Sequence, residues 1–332
     1  MSLIPIVEEL PIEFPDAGPQ GGKAISARGP WALMWRRLRR DKASIISIIF
    51  IVLLFLFAAA APAIESWTGH PKNTTNGEGY DPYTLLPVKP MDGCAGIGDI
   101  GDDDCFVLGT SNVSGYDMLV QLSYGARTSL VIGLAATSLT VAVALVTGLL
   151  SGYLGGVADA VISRLMDVVA AFPFLLFAIA ASTVFDRTMS LVVLIIVFFS
   201  WFYPARLFRA EVLSLREREF VAAARMLGAS TPRILRKHIL PHLIGPAIVY
   251  STLAIATAIL FEAALSFLAL GLPPNIPSWG RMVSDAVPGG LYRNAPHLMF
   301  FPGTLLVLTA LAFNMLGDGL RDALDPKGNV DR

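Results

Sequence analysis

Six stretches of the chain are long and apolar enough, with no central charge, to cross the hydrocarbon layer of a bilayer as helices. Such a crossing takes about 20 residues at a rise of about 1.5 Å each. The stretches run over Ala43–Ile64, Thr128–Gly152, Val168–Phe185 (or from Val161), Met189–Ala205, Leu243–Gly271 and Leu298–Leu316. The fourth is short and the fifth long enough to tilt. This pattern predicts an all-α integral membrane protein. Residues 1–42 form an N-terminal tail, 43–64 a first span, 65–121 a polar insert, 122–318 a core holding the other five spans, and 319–332 a C-terminal tail.

Composition agrees with lipid as the solvent: of 332 residues, 54% are hydrophobic and only 15% charged, with a mean hydropathy of +0.62. A formal net charge of −1 leaves no basic excess for nucleic acid, so charge informs through its distribution. With both ends inside, seven Lys or Arg precede the first span, one lies between spans two and three, eight fall in residues 206–242 and three in the C-terminal tail. Lys72, Lys89, Arg127, Arg187, Arg281 and Arg293 fall on the other side, so the bias of positive charge favours an even number of spans with cytoplasmic termini. Arg36-Arg37-Leu38-Arg39-Arg40 ahead of span one, with the alanines of 58–63 after it, imitates a cleavable leader. Such a leader would be about 60 residues long, well beyond the usual size, so an uncleaved anchor is the better reading.

Outside the spans, residues 1–30 are rich in Pro and Gly and read as a flexible cytoplasmic tail. The outward insert 65–121 carries nine acidic side chains against Lys72 and Lys89. It also holds the only two cysteines, Cys94 and Cys105, on the oxidising side, where a disulfide is expected to close a short loop. Asp99, Asp102, Asp103 and Asp104 miss the EF-hand spacing and its late Glu, and read as a solvated acidic turn. Asn73-Thr74-Thr75 and Asn112-Val113-Ser114 fit the glycosylation sequon, which has meaning only in a eukaryotic secretory pathway.

Residues 206–242 combine eight Lys or Arg with three Glu in a helical pattern too short and polar to cross, which places them at the inner surface. Ser214-Leu215-Arg216-Glu217 matches a capping box, Phe220, Ala224 and Leu227 share a face, and Gly228 is placed to end the helix. Ser230 or Thr231, with Pro232 at the first helical position, starts a second helix that carries Arg233, Arg236, Lys237 and His238 to Pro241 at the membrane boundary. Physically, this hairpin fits either a basic surface on anionic headgroups or a docking element.

Glu219-Phe-Val-Ala-Ala-Ala-Arg-Met-Leu-Gly228 followed by His238-Ile-Leu-Pro241 resembles the EAA loop of binding-protein-dependent ABC importer permeases. Ala222-Ala223-Ala224 stands where that family usually has Glu-Ala-Ala, while Gly228 is retained; Glu217, Glu219 or Arg225 would substitute for the missing Glu. Leu265 to Gly280 and Leu311 to Pro326 are similar to the C-type permease of the dipeptide, oligopeptide and nickel transporter group. Leu108 to Asp117 and Tyr124 to Leu130 resemble that group's entry to span two, with Ser111 and Tyr116 where Asp and Arg are common. The resemblance covers residues 108–327. It implies a six-helix type I ABC importer permease with a cytoplasmic coupling-helix hairpin and a small extracytoplasmic insert, in the inner membrane of a prokaryote. The implied partners are a second, related permease in a heterodimer, two ABC ATPase subunits carrying ATP and Mg, and an extracytoplasmic solute-binding protein. Residues of the coupling loop under this resemblance are Glu219, Ala222, Ala223, Ala224, Arg225, Gly228, His238 and Pro241. No cofactor, metal or catalytic residue is expected in this chain, and the absence of a Gly-x-x-x-x-Gly-Lys-Ser/Thr loop agrees with ATP chemistry on the partner.

Glu262 lies inside span five, where a carboxylate costs about 2.5 to 3.5 kcal/mol at the bilayer centre, so it must face protein, a cavity or an interface. It would either line a pathway or subunit interface, or bond to a neighbouring helix. Asn314 and Asp318 stand near the end of span six; either would border an inner gate, although Asp318 in Gly-Asp-Gly better marks the headgroup boundary. Pro173, Pro204 and Pro302 would serve as hinges or be tolerated helix residues. His238 and His242 have the spacing of metal ligands but lack a third ligand, and Trp201 and Tyr203 fit an aromatic belt. Two alternatives from other classes are a secondary transporter, for which only Glu262 offers an intramembrane acid, and a membrane scaffold. Peptides lead as the expected solute, with nickel chelates, glutathione and other small solutes open.

Overall fold

The structure, a computed structural model, describes residues 30–73, 86–91, 94, 105–111 and 115–324. The acidic turn at Asp99 to Asp104, the second sequon and most of both tails lie outside the described residues. What is described is helical, with one isolated antiparallel bridge between Thr110 and Asp117. Four helices are long and apolar enough to cross a membrane, and two bent pairs raise the count to as many as six.

The first is α2 (Lys42–Ala59), preceded by a short α1 (Pro30–Leu38) and followed by α3 (Ala61–Thr68). Asp41 caps α2 by accepting from the backbone N–H groups of Ala43 and Ser44. The Ser44 hydroxyl donates to the same carboxylate at 2.5 Å and holds its pKa below the ordinary value. The second is α4 (Met118–Leu154), which starts ten residues before the apolar run at Thr128 because Asp117 caps it through Val120 N–H at 3.1 Å. Its 37 residues make a rod of about 55 Å, longer than the hydrocarbon layer is thick.

The stretch expected as span three is broken. α5 (Gly156–Ala171) and α6 (Phe174–Val184) meet at 83° across Phe172 and Pro173, where Pro bars the preceding residue from helical backbone. The stretch expected as span four bends by 43° at Trp201 between α7 (Met189–Ser200) and α8 (Phe202–Arg216). Trp201 is buried against Val141, Ala144 and Phe208 instead of standing in an interfacial belt, because the bend turns its indole into the core. α8 lies along α4: a Cβ on Gly148 would stand 2.8 Å from that of Phe208, and one on Gly152 2.8 Å from that of Val212. Glycine permits that approach, as small residues do between membrane helices.

Beyond α8 come α9 (Glu219–Met226) and α10 (Thr231–Ile234). A π-helical turn over Leu235–Ile239 then joins α10 to α11 (Leu240–Phe267). α12 (Trp279–Asp285), α13 (Leu291–Asn294) and α14 (His297–Leu324) complete the chain, and Pro302 sits inside α14 without interrupting it. The main core gathers α2, α4, α11, α12 and α14 around Leu122, Ile259, Trp279 and Phe313. The indole N–H of Trp279 donates to Leu122 O at 3.0 Å. Large apolar side chains such as Ile46, Leu53, Leu165, Leu176 and Val307 stay exposed, as lipid-facing or partner-facing positions would.

The insert is tied to α4. His70 Nδ1 lies 2.8 Å from Asp117 Oδ2, the His70 ring stacks on Phe106, and Tyr124 donates its hydroxyl hydrogen to Glu65. Cys94 and Cys105 are joined by a disulfide across eleven positions of sequence. Replacing both by Ser is expected to loosen this loop by about 2 to 3 kcal/mol, the loop-closure entropy of a ring that size. Limited proteolysis of the double variant should then cut within 94–105, while the α4 and α11 fragments stay as resistant as in the parent chain.

Candidate functional site

The hairpin between α8 and α11 departs from a regular capping box. Ser214 lies inside α8, which continues to Arg216 because Val212 and Leu215 are buried against Tyr153, Ile234 and Leu243. Packing outweighs the local capping signal. α9 therefore starts later, at Glu219, behind an N-cap Arg218 that makes no side-chain cap bond.

Gly228 does end α9. Its φ is +76°, Gly228 N–H bonds to Arg225 O at 2.9 Å, and Ala229 N–H bonds to Ala224 O at 3.0 Å, a Schellman turn. The buried face of α9 is Val221 and Ala224. Phe220 and Leu227, expected beside Ala224 on one apolar face, are exposed, as are Glu219, Ala222, Ala223 and Arg225. Met226 and Leu227 are 83% and 88% exposed. Arg225 keeps a role within the chain, its guanidinium resting 5.2 Å from the centroid of the Tyr153 ring while Nε donates to the Tyr153 hydroxyl at 3.3 Å.

Pro241 does not mark a break. The π turn absorbs it, so residues 231–267 form one continuous helix that leads from the hairpin into the bundle. His242 Nδ1 bonds its own helix at His238 O, 2.8 Å away, and its ring stacks on Phe220 of α9 with centroids 5.2 Å apart. No cluster of metal-binding side chains occurs among the described residues. On the opposite flank, Arg209 of α8 clamps Asp159 of α5 through two bonds of 2.5 and 2.6 Å.

Above the hairpin lies a partly open cavity of about 1400 Å³. Its lining on α11 runs from Pro241 and His242 in the first turn to Phe261 near the far end, and α14 adds Asn314, Arg321 and Leu324. α4 contributes Thr137 and Thr140, and the segment around the span-four bend contributes Phe199, Ser200 and Tyr203. Near Phe261 the rings of Phe174, Phe199 and Phe261 touch, with centroids 5.4 and 4.9 Å apart. Among the described residues the polar lining consists of hydroxyls, the Asn314 amide, the His242 ring and the Arg321 guanidinium, with no carboxylate. Of these groups only Asn314 was singled out in the sequence as bordering a gate. Tyr203 was assigned to a belt, and the signal for the other hydroxyls was a scatter of Thr, Ser and Tyr within apolar runs.

Glu262 does not line the cavity. It is 0% exposed and accepts from Ser266 Oγ at 2.7 Å and Ser129 Oγ at 3.1 Å, with Ser278 close by. The bonded serines belong to α11 and to α4, so the carboxylate ties those two helices together beside the N-cap of α12. A side chain so enclosed leaves no surface for a second subunit to touch.

A bundle of apolar helices with an internal cavity and an exposed surface hairpin continuous with the cavity wall defines a helical membrane transport protein. Residues 144–329 match the family described as binding-protein-dependent transport system inner membrane component, and residues 29–87 match the N-terminal TM domain of oligopeptide transport permease C. The chain belongs to that inner-membrane permease family. It is 34% identical over 303 residues to the oligopeptide transport system permease protein OppC of Haemophilus influenzae, covering 91% of this chain and 90% of the relative. It is 36% identical over 302 residues to the dipeptide transport system permease protein DppC of Alkalihalophilus pseudofirmus, covering 91% of each. Similarity thus extends N-terminal to residue 108, into the tail and the first span. A chain of the MetNI methionine ABC transporter, crystallised in inward-facing conformations, shares the fold at a TM-score of 0.51 with 17% identity over 63% of this chain and 98% of that one. The protein is a multi-pass bacterial inner-membrane permease of an ABC importer, a family that works with ATPase and binding-protein partners.

Proposed function

We propose that this chain forms half of the pathway of an ATP-driven peptide importer, with α9 as the element that an ATPase subunit grips. The observation that carries this reading is mechanical: α9 is exposed on its outer face, packed on its inner face, and joined through one unbroken helix to the wall of the cavity. A push on α9 reaches that wall by two routes, the π turn into α11 and the Phe220–His242 ring stack. Moving a helix that lines most of the cavity would alternate access between its ends, the Phe174–Phe199–Phe261 contact closing the end away from the hairpin.

In this reading both termini and the hairpin are cytoplasmic, six spans cross, and the bent pairs count as one span each. ATP and Mg sit on two partner ATPases, and this chain hydrolyses nothing. A second, related permease closes the other side of the cavity, and a binding protein delivers solute to the outer face. Peptides are supported as the solute by the oligopeptide and dipeptide systems to which the relatives belong. A described lining of hydroxyls, one amide, one imidazole and the Arg321 guanidinium suits a solute rich in backbone amides.

The test is reconstitution. The chain, its co-purified permease and ATPases, and the binding protein are placed in proteoliposomes, and uptake of a labelled tripeptide is followed with and without ATP. ATP-dependent uptake that stops when the binding protein is omitted is the expected result. Uptake by this chain alone on a proton gradient overturns the reading. Within the working system, His242→Ala removes the ring stack and is expected to cut uptake per ATP hydrolysed about 2- to 10-fold, the range set by an aromatic pair. ATPase binding should stay intact, as the paired uptake and phosphate-release assays would show.

A further inference from the structure

Four cations stand exposed where the chain enters its first span: Arg36, Arg39, Arg40 and Lys42. None forms an ion pair among the described residues. Asp41, the sole acid from residue 30 to 64, is occupied by the N–H groups of Ala43 and Ser44 and by the Ser44 hydroxyl. Only Arg39, Arg40 and Asp41 separate α1 from α2, and α2 is a membrane helix of mean hydropathy 2.6. Connectivity therefore holds these side chains at headgroup depth.

α1 is also fixed in place from the other side. Leu38 is buried, and Arg37 donates from Nη1 to Ala323 O at 3.4 Å in the last turn of α14. The ionisable groups of those last turns, Asp318, Arg321 and Asp322, are exposed and pair with none of the four cations. Trp35 is 48% exposed, with the Arg39 guanidinium 4.9 Å from its ring centroid. An amphipathic ring beside clustered cations next to a span is the arrangement that an anionic membrane surface attracts.

We propose that Arg36, Arg39, Arg40 and Lys42, together with Trp35, form a binding site for the anionic headgroup of a phospholipid in the leaflet that α2 enters at Lys42. A zwitterionic headgroup carries its own cation and gains little there, so the site discriminates by net charge. Hydrogen bonds from guanidinium to phosphate add geometry to that attraction.

The test uses the full chain in detergent, titrated with dioleoylphosphatidylglycerol or dioleoylphosphatidylcholine and read by native mass spectrometry. The parent chain is expected to retain the glycerol lipid about 10- to 100-fold better than the choline lipid. Arg36→Gln with Arg39→Gln and Arg40→Gln should abolish that preference, and the corresponding three Lys substitutions should keep most of it. Single Gln variants, which carry less risk to insertion, should each lose about 5-fold. Equal binding of the two lipids by the parent, or unchanged preference in the Gln variants, overturns the proposal. Full displacement of the lipid by inorganic phosphate at the same concentration also overturns it, because the site would then be one for free phosphate.

Discussion

A permease carrying Met226→Asp together with Leu227→Asp is expected to insert and fold as the parent does, yet to lose its ATPase subunits and all ATP-driven uptake. The two side chains are 83% and 88% exposed at the end of α9, so nothing in the chain itself depends on their apolar surface. Surface changes of that kind shift stability by about half a kcal/mol or less. Against a partner the balance differs. Each apolar side chain taken out of water contributes about 1.5 to 3 kcal/mol, and each aspartate forced into the same contact must be desolvated. A loss of at least about 3 kcal/mol corresponds to more than about a hundredfold in affinity. Co-purification of ATPase with the tagged permease measures the loss, and thermal unfolding in detergent should stay within about 2 °C of the parent. Normal ATPase recovery from the double variant would remove α9 as the grip.

That result depends on a face whose covering the sequence left open, and the reason is physical. Phe220, Ala224 and Leu227 share one helical stripe, and so do Val221 and Ala224; apolarity alone cannot tell a face turned toward the core from one kept for a partner. Burial decides for Val221 and Ala224, which close over Tyr153, Ile234 and Leu243. Gly228 was legible because positive φ at a helix end has few solutions, and its turn is the expected one. Ser214 was misleading because a capping box is worth about 1 kcal/mol, less than the burial of Val212 and Leu215 that keeps α8 going.

The spans themselves could be read from hydropathy, but their ends could not. A hydropathy run registers where lipid contact begins, whereas α4 begins where Asp117 caps it and α8 ends where its packing partners stop. Breaks followed the same logic. Pro173 breaks its apolar run because it holds Phe172 in extended backbone, while a π turn precedes Pro241 within a continuous helix. The cavity was the least visible feature, since its lining is shared by residues from four distant parts of the chain that no local window joins.

Glu262 joins the two levels, because the sequence required it to face protein, a cavity or an interface and the fold encloses it between α4 and α11. Glu262→Ala is expected to destabilise the chain by on the order of 3 kcal/mol. It removes the acceptor of the Ser129 and Ser266 hydroxyls, leaves those donors enclosed, and opens a void among α4, α11 and α12. Glu262→Gln keeps the volume and one carbonyl acceptor, so it should cost no more than about 1.5 kcal/mol. Thermal unfolding in detergent, read by loss of the monodisperse peak, should therefore rank parent, Gln and Ala in that order. Uptake per folded molecule should be nearly the same for parent and Gln. A carboxylate that served the pathway would give the opposite split, with Gln as stable as the parent and uptake gone, and that outcome would return Glu262 from the helix packing to the transport chemistry.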